Sequence, residues 1–456
     1  MRSIQSVVVA FVFMMAGIAL SQPGCGDEPA DLGTSGGGTE TGDVNPTTGD
    51  ETSGGDATTE GGTETGEPPG PVSANPYWKM IDLGEDTTWR SVQAVESASG
   101  PVYILTGDQG VVAFFDGWET TFKNLGEDVS ILDAWVYDFD SMDGLIVVGE
   151  KGYVRHLDPA GFWALPSGLP PEGQADFTSV VGNHPDNVYV GGDNGQLWKF
   201  KNGDWSSVLN HEGWHPTLSD ISAMWMDSVS SHVFIVAENE LLSGSSINWL
   251  LGTAEKEMKG VHGFASNDVF VVGGFGGGFL GKNVYHFTEV GWVEQSTPAP
   301  AAQGLCDVWG TSSADVYAVG FKGTLLHYHD VNGEMEWEYV SAGHPMDLKS
   351  PSGTPEETKI KAQDLTLQKI AGRSDEDILV IAEQTIPPVG EVPRDGAGCD
   401  GCSCQTCVCE TKPECCANEW DANCVTLCVS ECEGAGDPLV KSTLLHYTRH
   451  LIEEDE

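Results

Sequence analysis

Basic residues are scarce in this chain: 21 Lys and Arg stand against 69 Asp and Glu, a formal net charge of −48 over 456 residues. A surface this acidic repels phosphate backbones, which excludes nucleic acid as a partner. Solubility in an extracellular medium accounts for the excess without any basic partner, and divalent cations stay compatible with it. Arginine is especially thin. Beyond the leader only Arg90, Arg155, Arg373, Arg394 and Arg449 occur, scattered along the sequence. They do not spell the arginine triad that a sialidase needs for its substrate's carboxylate. Long apolar runs are missing too. The run from Val7 to Leu20, which follows Arg2, is too short to cross a bilayer.

What the chain does have is repetition. One unit reads Leu305-Cys-Asp-Val-Trp-Gly310, then Asp315-Val-Tyr-Ala-Val-Gly320, then Gly323-Thr-Leu-Leu-His-Tyr328, then Trp337. Its second strand recurs as Val102-Tyr-Ile-Leu105, Leu145-Ile-Val-Val148, Val188-Tyr-Val-Gly191, Val233-Phe-Ile-Val236, Val269-Phe-Val-Val272 and Ile378-Leu-Val-Ile381. Each is a β-branched or aromatic run of buried-strand character. Self-similarity at roughly 40–45 residues is the signature of propeller blades. Gly107, Gly149, Gly192, Gly273 and Gly320 stand at or beside the turn after that strand, where a positive φ is often needed. Asn187, Asp268, Asp315 and Asp377 precede it and are placed to close Asx-turns.

The tryptophans follow the same logic. Trp118, Trp163, Trp205, Trp249, Trp292 and Trp337 trail the third strand, as outer strands covering the blade interfaces would require. Trp135, Trp225 and Trp309 belong to inner strands, and such stripes read as core before they read as ligand platforms. The seventh unit lacks a closing tryptophan. Asn75-Pro-Tyr-Trp-Lys-Met-Ile-Asp82 carries Trp78 and supplies the missing strand, which leaves no open sheet edge. The expected fold is all-β: a seven-bladed propeller closed by an N-terminal strand.

Residues 1–24 have the layout of a signal peptide, a charged start and a short apolar core. The sequence Ser21-Gln-Pro-Gly-Cys25 resembles a bacterial lipoprotein signal, and that resemblance makes Cys25 the lipidated first residue of the mature chain. Gln22 and Pro23 depart from the lipoprotein pattern, and Ala19-Leu-Ser21 offers ordinary cleavage and simple secretion as the alternative. Residues 25–75 read as a disordered tether. Positions 26–75 hold eleven acidic residues, no Lys or Arg, and mostly Gly, Thr, Ser and Pro. Such a segment cannot bury enough apolar surface to order itself. Gly26 after the cysteine resembles lipoproteins exported to the outer membrane, so the expected location is the outer membrane or cell surface.

Ten of the twelve cysteines fall between Cys399 and Cys432: Cys399, Cys402, Cys404, Cys407, Cys409, Cys415, Cys416, Cys424, Cys428 and Cys432. In an exported protein this density reads as five disulfides of open connectivity. Zinc is the competing reading, through the two C-x-x-C pairs. Trp420, Cys424, Cys428 and Cys432 recur every fourth residue, one stripe of a helix spanning about 418–432. The segment 387–437 interrupts the last blade between its second and third strands, so the propeller comprises 76–386 and 438–456. Its string Cys407-Val-Cys, Pro413-Glu-Cys-Cys and Trp420-Asp-Ala-Asn-Cys-Val resembles a small cysteine module of secreted proteins from myxobacteria-like bacteria. The repeat itself resembles exported bacterial propellers with W-G-x-x-x-x-D-V-Y-x-V-G-x-x-G units, a likeness that implies architecture and no chemistry.

Catalytic spellings are thin. Asp193-Asn-Gly-Gln-Leu-Trp198 and Thr106-Gly-Asp-Gln-Gly110 are similar to Asp-boxes, which are structural turns. Gly276-Gly-Gly-Phe-Leu-Gly-Lys282 approaches a phosphate loop, but Asn283 stands where Ser or Thr belongs and a glycine-rich hairpin explains it better. Asp138, Asp140 and Asp143 cluster three carboxylates that calcium would suit, against the alternative of a solvated corner. His327 and His329 share a sheet face with no third ligand visible, and Cys306 reads as a buried thiol. No resident cofactor is expected beyond that calcium. Two functions survive: a monomeric, lipid-anchored binding, adhesion or receptor scaffold for a protein or glycan, or a carbohydrate-active hydrolase or lyase working in the central channel.

Overall fold

The structure is a computed structural model. It describes residues 77–84, 87–126, 128–140, 145–157, 163–164, 175–208, 216–245, 248–275, 283–298, 304–340, 346, 348, 365–386, 399, 404–432 and 439–449. The leader, Cys25, the acidic tether, Asp143, Cys402 and the 276–282 glycine run lie outside these residues.

The alternating β-branched runs pair into seven four-stranded antiparallel sheets. Blade 1 comprises Trp89–Val95, Val102–Gly107, Val111–Phe115 and Thr120–Asn124. Blade 2 comprises Ile131–Trp135, Ile146–Gly149, Tyr153–Leu157 and Trp163–Ala164. Blade 3 runs Phe177–His184, Asn187–Gly192, Leu197–Lys201 and Asp204–Ser207, and blade 4 Ile221–Met226, Val233–Ala237, Glu240–Ser245 and Asn248–Thr253. Blade 5 runs Glu257–Ala265, Asp268–Phe275, Val284–Thr288 and Gly291–Gln295. Blade 6 follows with Leu305–Ser312, Asp315–Gly320, Leu325–Val331 and Glu334–Tyr339.

Blade 7 takes three strands from the end of the chain, Leu365–Ser374, Asp377–Ile386 and Leu439–Thr448. Its fourth is Trp78–Ile81, which pairs Trp78 with Tyr447 and Ile81 with Leu444. The ring therefore closes with the strand that the Trp78 pattern predicted. Trp78 is fully buried there, packed 5.3 Å from the Tyr447 ring.

Burial is organised by interface. Seven apolar clusters each span two neighbouring blades, one for every junction of the ring, including blade 7 with blade 1 through Leu379, Ile381, Tyr103 and Leu105. Every sheet thus buries both faces, which is why its second strand reads as a continuous apolar run.

Four sequence expectations need correction in detail. Gly149 has an extended φ of −172, so positive φ is not its reason for being glycine. A Cβ there would collide with the Ser130 carbonyl, just before the neighbouring strand; the positive φ falls two residues later, on Lys151 at 58°. Trp118 covers no interface; it sits in the turn before the outer strand, 76% exposed. The module helix begins at Ala422, not 418, because Asp421 caps it by accepting from the Asn423 and Cys424 amides. Cys306 is not a thiol but is disulfide-bonded.

The cysteine module leaves blade 7 at Ile386 and returns at Leu439, residues paired in the same ladder. Its described residues form three short helices, α1 (Gln405–Thr411), α2 (Glu414–Ala417) and α3 (Ala422–Glu431). Disulfides join Cys404 to Cys428, Cys407 to Cys432, Cys409 to Cys416 and Cys415 to Cys424. Three of them tie α3 and its end to the preceding segment, as the every-fourth-residue stripe required. Cys399, Val408, Trp420 and the buried sulfurs form a core of their own.

Candidate functional site

The channel wall is built from the seven inner strands, and each carries the same irregularity. A register shift after its first residues inserts one extra residue, a bulge directly before Ser91, Asp133, Ser179, Ala223, Gly260, Asp307 and Lys369. A bulge re-aims a side chain out of the pleat. At Asp133, Ser179 and Asp307 the side chain reaches the next blade. Asp133 accepts the Val180 amide of blade 3 at 2.9 Å, Ser179 the Met224 amide of blade 4 at 3.1 Å, and Asp307 the Ile370 amide of blade 7 at 3.0 Å. Asp133 also accepts from the Ser91 hydroxyl of blade 1 at 3.1 Å and from Gln93 Nε2 at 3.0 Å. At these three junctions an inner-strand amide of the next blade is satisfied this way.

Two residues further along the same strands lie Gln93, Trp135, Trp225, His262 and Trp309. They line a channel cavity of about 380 Å³ together with Asp133, Asp307 and Lys369. The indoles alternate around the ring and wedge against glycine in the following blade. A Cβ on Gly182 would lie 2.7 Å from the Trp135 ring, and one on Gly263 2.9 Å from the Trp225 ring. Trp309 occupies the same place over Gly372. The packing role expected for these tryptophans holds, but each also shows part of its ring to the channel.

Electrostatics follow from burial. Desolvation raises the Asp133 carboxyl, opposed by the Val180 amide and the Lys369 charge, and raises Asp307, opposed by Lys369 and the Ile370 amide. Burial lowers His262 to about 4, against a hydrogen bond with the Gly310 backbone, so its imidazole is neutral at pH 7. Two aspartates, one lysine and one neutral imidazole therefore line the cavity, each aspartate already committed to a neighbouring blade. Sequence reading missed this set because its members are equivalent only through the bulge.

The acids expected to close Asx-turns work across the sheet instead. His286 meets Asp268 at 2.7 Å, His327 meets Asp315 at 2.7 Å and His446 meets Asp377 at 2.9 Å, at equivalent places in blades 5, 6 and 7. Arginines are likewise occupied: Arg90 pairs with Asp108 at 2.8 Å, and Arg373 with Asp377. Both Asp-box matches form three-residue 3₁₀ turns, Asp108–Gly110 and Asp193–Gly195. Blades 2 and 6 build the same turn without the aspartate, so its role is structural.

Asp138 accepts the Asp140 amide at 3.1 Å, and Asp140 accepts the Ala98 amide at 2.7 Å; Asp143, the third calcium candidate, is outside the described residues. The glycine run 276–282 links two strands of blade 5 and precedes no helix. In the module, Asp421 lies beside the sulfurs of Cys415 and Cys424, but these two are bonded to each other. A thiolate pair for zinc is thereby removed. Two further spellings lie outside the described residues, His211-Glu-Gly-Trp-His215 and Gly33-Thr-Ser-Gly-Gly37. The first has the H-E-x-x-H form but falls in the link between blades 3 and 4, directly before Pro216. The second falls in the Gly/Thr spacer.

No family model matches the chain, and no curated protein sequence matches it either. Among solved structures it is similar to virginiamycin B lyase from Staphylococcus aureus, with 13% identity, a TM-score of 0.49, and coverage of 66% of this chain and 94% of that one. It is also similar to YCF48 from Cyanidioschyzon merolae, at 14% identity and a TM-score of 0.48, covering 68% and 96%. A chain of the mitotic checkpoint complex gives 13% and 0.49, covering 69% and 91%. These likenesses transfer no function.

Proposed function

We propose that this protein is an exported binding scaffold, lipid-anchored through Cys25, whose ring and cysteine module present rim surfaces to an envelope protein or a glycan. One observation carries the reading. The channel carboxylates Asp133 and Asp307 each hold a backbone amide of the next blade, so the groups best placed for acid–base chemistry serve as latches between blades. The paired cysteines fit an oxidising compartment, and among the described residues no helix is long and apolar enough to cross a membrane. The acidic spacer gives a lipid-anchored ectodomain its reach.

The test is a glycan and envelope-protein array on the mature ectodomain, repeated with residues 387–438 replaced by a short glycine-containing turn. Loss of a saturable partner makes the module the recognition element; retention moves that role to the remaining rim. Replacing Cys25 with Ser should release the folded protein from membrane fractions, and an unlipidated mature start at Gln22 would establish secretion instead.

A second reading rests on Lys369, whose charge acts on both Asp133 and Asp307. Such a trio suits a carbohydrate hydrolase or lyase in the channel. Turnover of a glycan that disappears in Asp307→Asn, with the ring intact, would replace the scaffold reading.

A further inference from the structure

His327 and His329 alternate on the third strand of blade 6, and the neighbouring outer strand supplies what they lack in sequence. Its register sets Glu338 directly across from His327 and Glu336 directly across from His329. Opposed residues on one face of a sheet have Cβ atoms only about 4.5–5.5 Å apart. His329 Nε2 already meets Glu338 Oε2 at 3.2 Å. Two imidazoles and two carboxylates thus share one patch.

The patch departs from the repeat in a telling way. Blades 5 and 7 keep the Asp–His pair, Asp268 with His286 and Asp377 with His446. Two residues after the histidine, however, they carry Thr288 and Thr448, and opposite it Val293 and Lys79. A structural Asp–His pair therefore needs neither a second histidine nor facing glutamates. Blade 6 adds all three.

The added imidazole is held in place. Asp315 fixes the His327 ring at 2.7 Å, Tyr317 stacks on it at 4.3 Å and 2°, and His327 stacks on His329 at 4.5 Å and 5°. His329 stays open to solvent, its side chain 35% exposed, with Glu338 at 51%. A ligand imidazole pre-ordered by a ring behind it loses less freedom on coordination.

We propose that this face of blade 6 binds a divalent transition-metal ion of the zinc class, with His329, Glu336 and Glu338 as ligands and His327 as the positioning residue. An imidazole nitrogen with two carboxylate oxygens suits zinc, whereas calcium takes oxygen alone. Coordination replaces the His329–Glu338 hydrogen bond and requires a neutral imidazole, so uptake weakens in acid.

The test is calorimetric titration of the full exported chain with Zn²⁺, in moderate salt and an excess of Ca²⁺ to saturate the acidic spacer. One saturable equivalent is expected, absent in His329→Ala and in Glu338→Gln. His327→Ala should retain the site with affinity reduced about 10–100-fold, the range for a supporting residue. Circular dichroism confirms that each exposed variant keeps the ring. Zinc uptake unchanged in both His329→Ala and Glu338→Gln, or no saturable uptake by the parent, overturns the proposal.

Discussion

Tyr103, on the second strand of blade 1, donates its hydroxyl to the Asp377 carboxylate of blade 7 at 2.9 Å. The first and last blades are therefore joined by a polar bond as well as by the Trp78 strand. Both residues are buried, and Asp377 also accepts from Arg373 Nε at 2.8 Å and His446 Nε2 at 2.9 Å. One carboxylate gathers a tyrosine, an arginine and a histidine at the ring's seam.

Removing that carboxylate takes the acceptor from His446 Nε2 and Arg373 Nε, while the Tyr103 hydroxyl keeps the Asp377 carbonyl at 2.9 Å. Asp377→Ala is expected to cost about 3–5 kcal/mol, as breaking a buried ion pair does. Tyr103→Phe, which deletes a single hydrogen bond, should cost about 1 kcal/mol. Urea unfolding followed by tryptophan fluorescence measures both, and equal costs would refute a hub at Asp377.

Acid should open the same seam. Burial works to raise Asp377, but the hydrogen bonds from His446 and Arg373 outweigh it and hold the carboxyl below its ordinary range. Asp315 is likewise lowered, burial being outweighed by His327 and Thr311. A depressed folded pKa contributes stability that is present above the ordinary carboxylate value of about 4 and lost as pH falls through the folded one. Asp133 and Asp307, raised by burial, have the opposite sign, their penalty growing as pH climbs past that ordinary value. Melting temperature followed from about pH 3 to 7 should fall at the acid end, and Asp377→Asn should flatten that limb.

The indole wedges make glycine obligatory in the neighbouring blade. Gly372→Ala and Gly182→Ala should each cost about 1–3 kcal/mol by overpacking. Because Trp309 is the obstacle at Gly372, adding Trp309→Phe to Gly372→Ala should recover part of the loss. A double-mutant cycle with no coupling would place the strain elsewhere.

The module should behave as a separate unit, since its core is its own and its two ends are paired residues of one hairpin. Peptide mapping should recover the Cys404–Cys428, Cys407–Cys432, Cys409–Cys416 and Cys415–Cys424 links. Chelators should release no thiol from the native module, and thiols should appear only with reductant. Swapping residues 387–438 for a short turn should leave the β-sheet signal and unfolding midpoint of the ring nearly unchanged. Thiols exposed by chelation alone would restore zinc to the module.

The sequence by itself determined the blade number, the closing role of Trp78, the interruption of blade 7 and the staple pattern of α3. These are local regularities: alternation along a strand, a turn at a fixed interval, sulfur at every fourth residue. Only the tertiary structure decided what the side chains face. Asp133, Ser179, Asp307 and Lys369 become one belt because a single-residue bulge in each inner strand brings them to equivalent depth. Gly149 is glycine because of the Ser130 carbonyl just before the neighbouring strand, and the His329 patch exists because two strands meet in one register rather than another. A one-residue slip would turn those glutamates to the opposite face. Such coincidences depend on pairing between strands, and the residues that make them carry no shared local pattern.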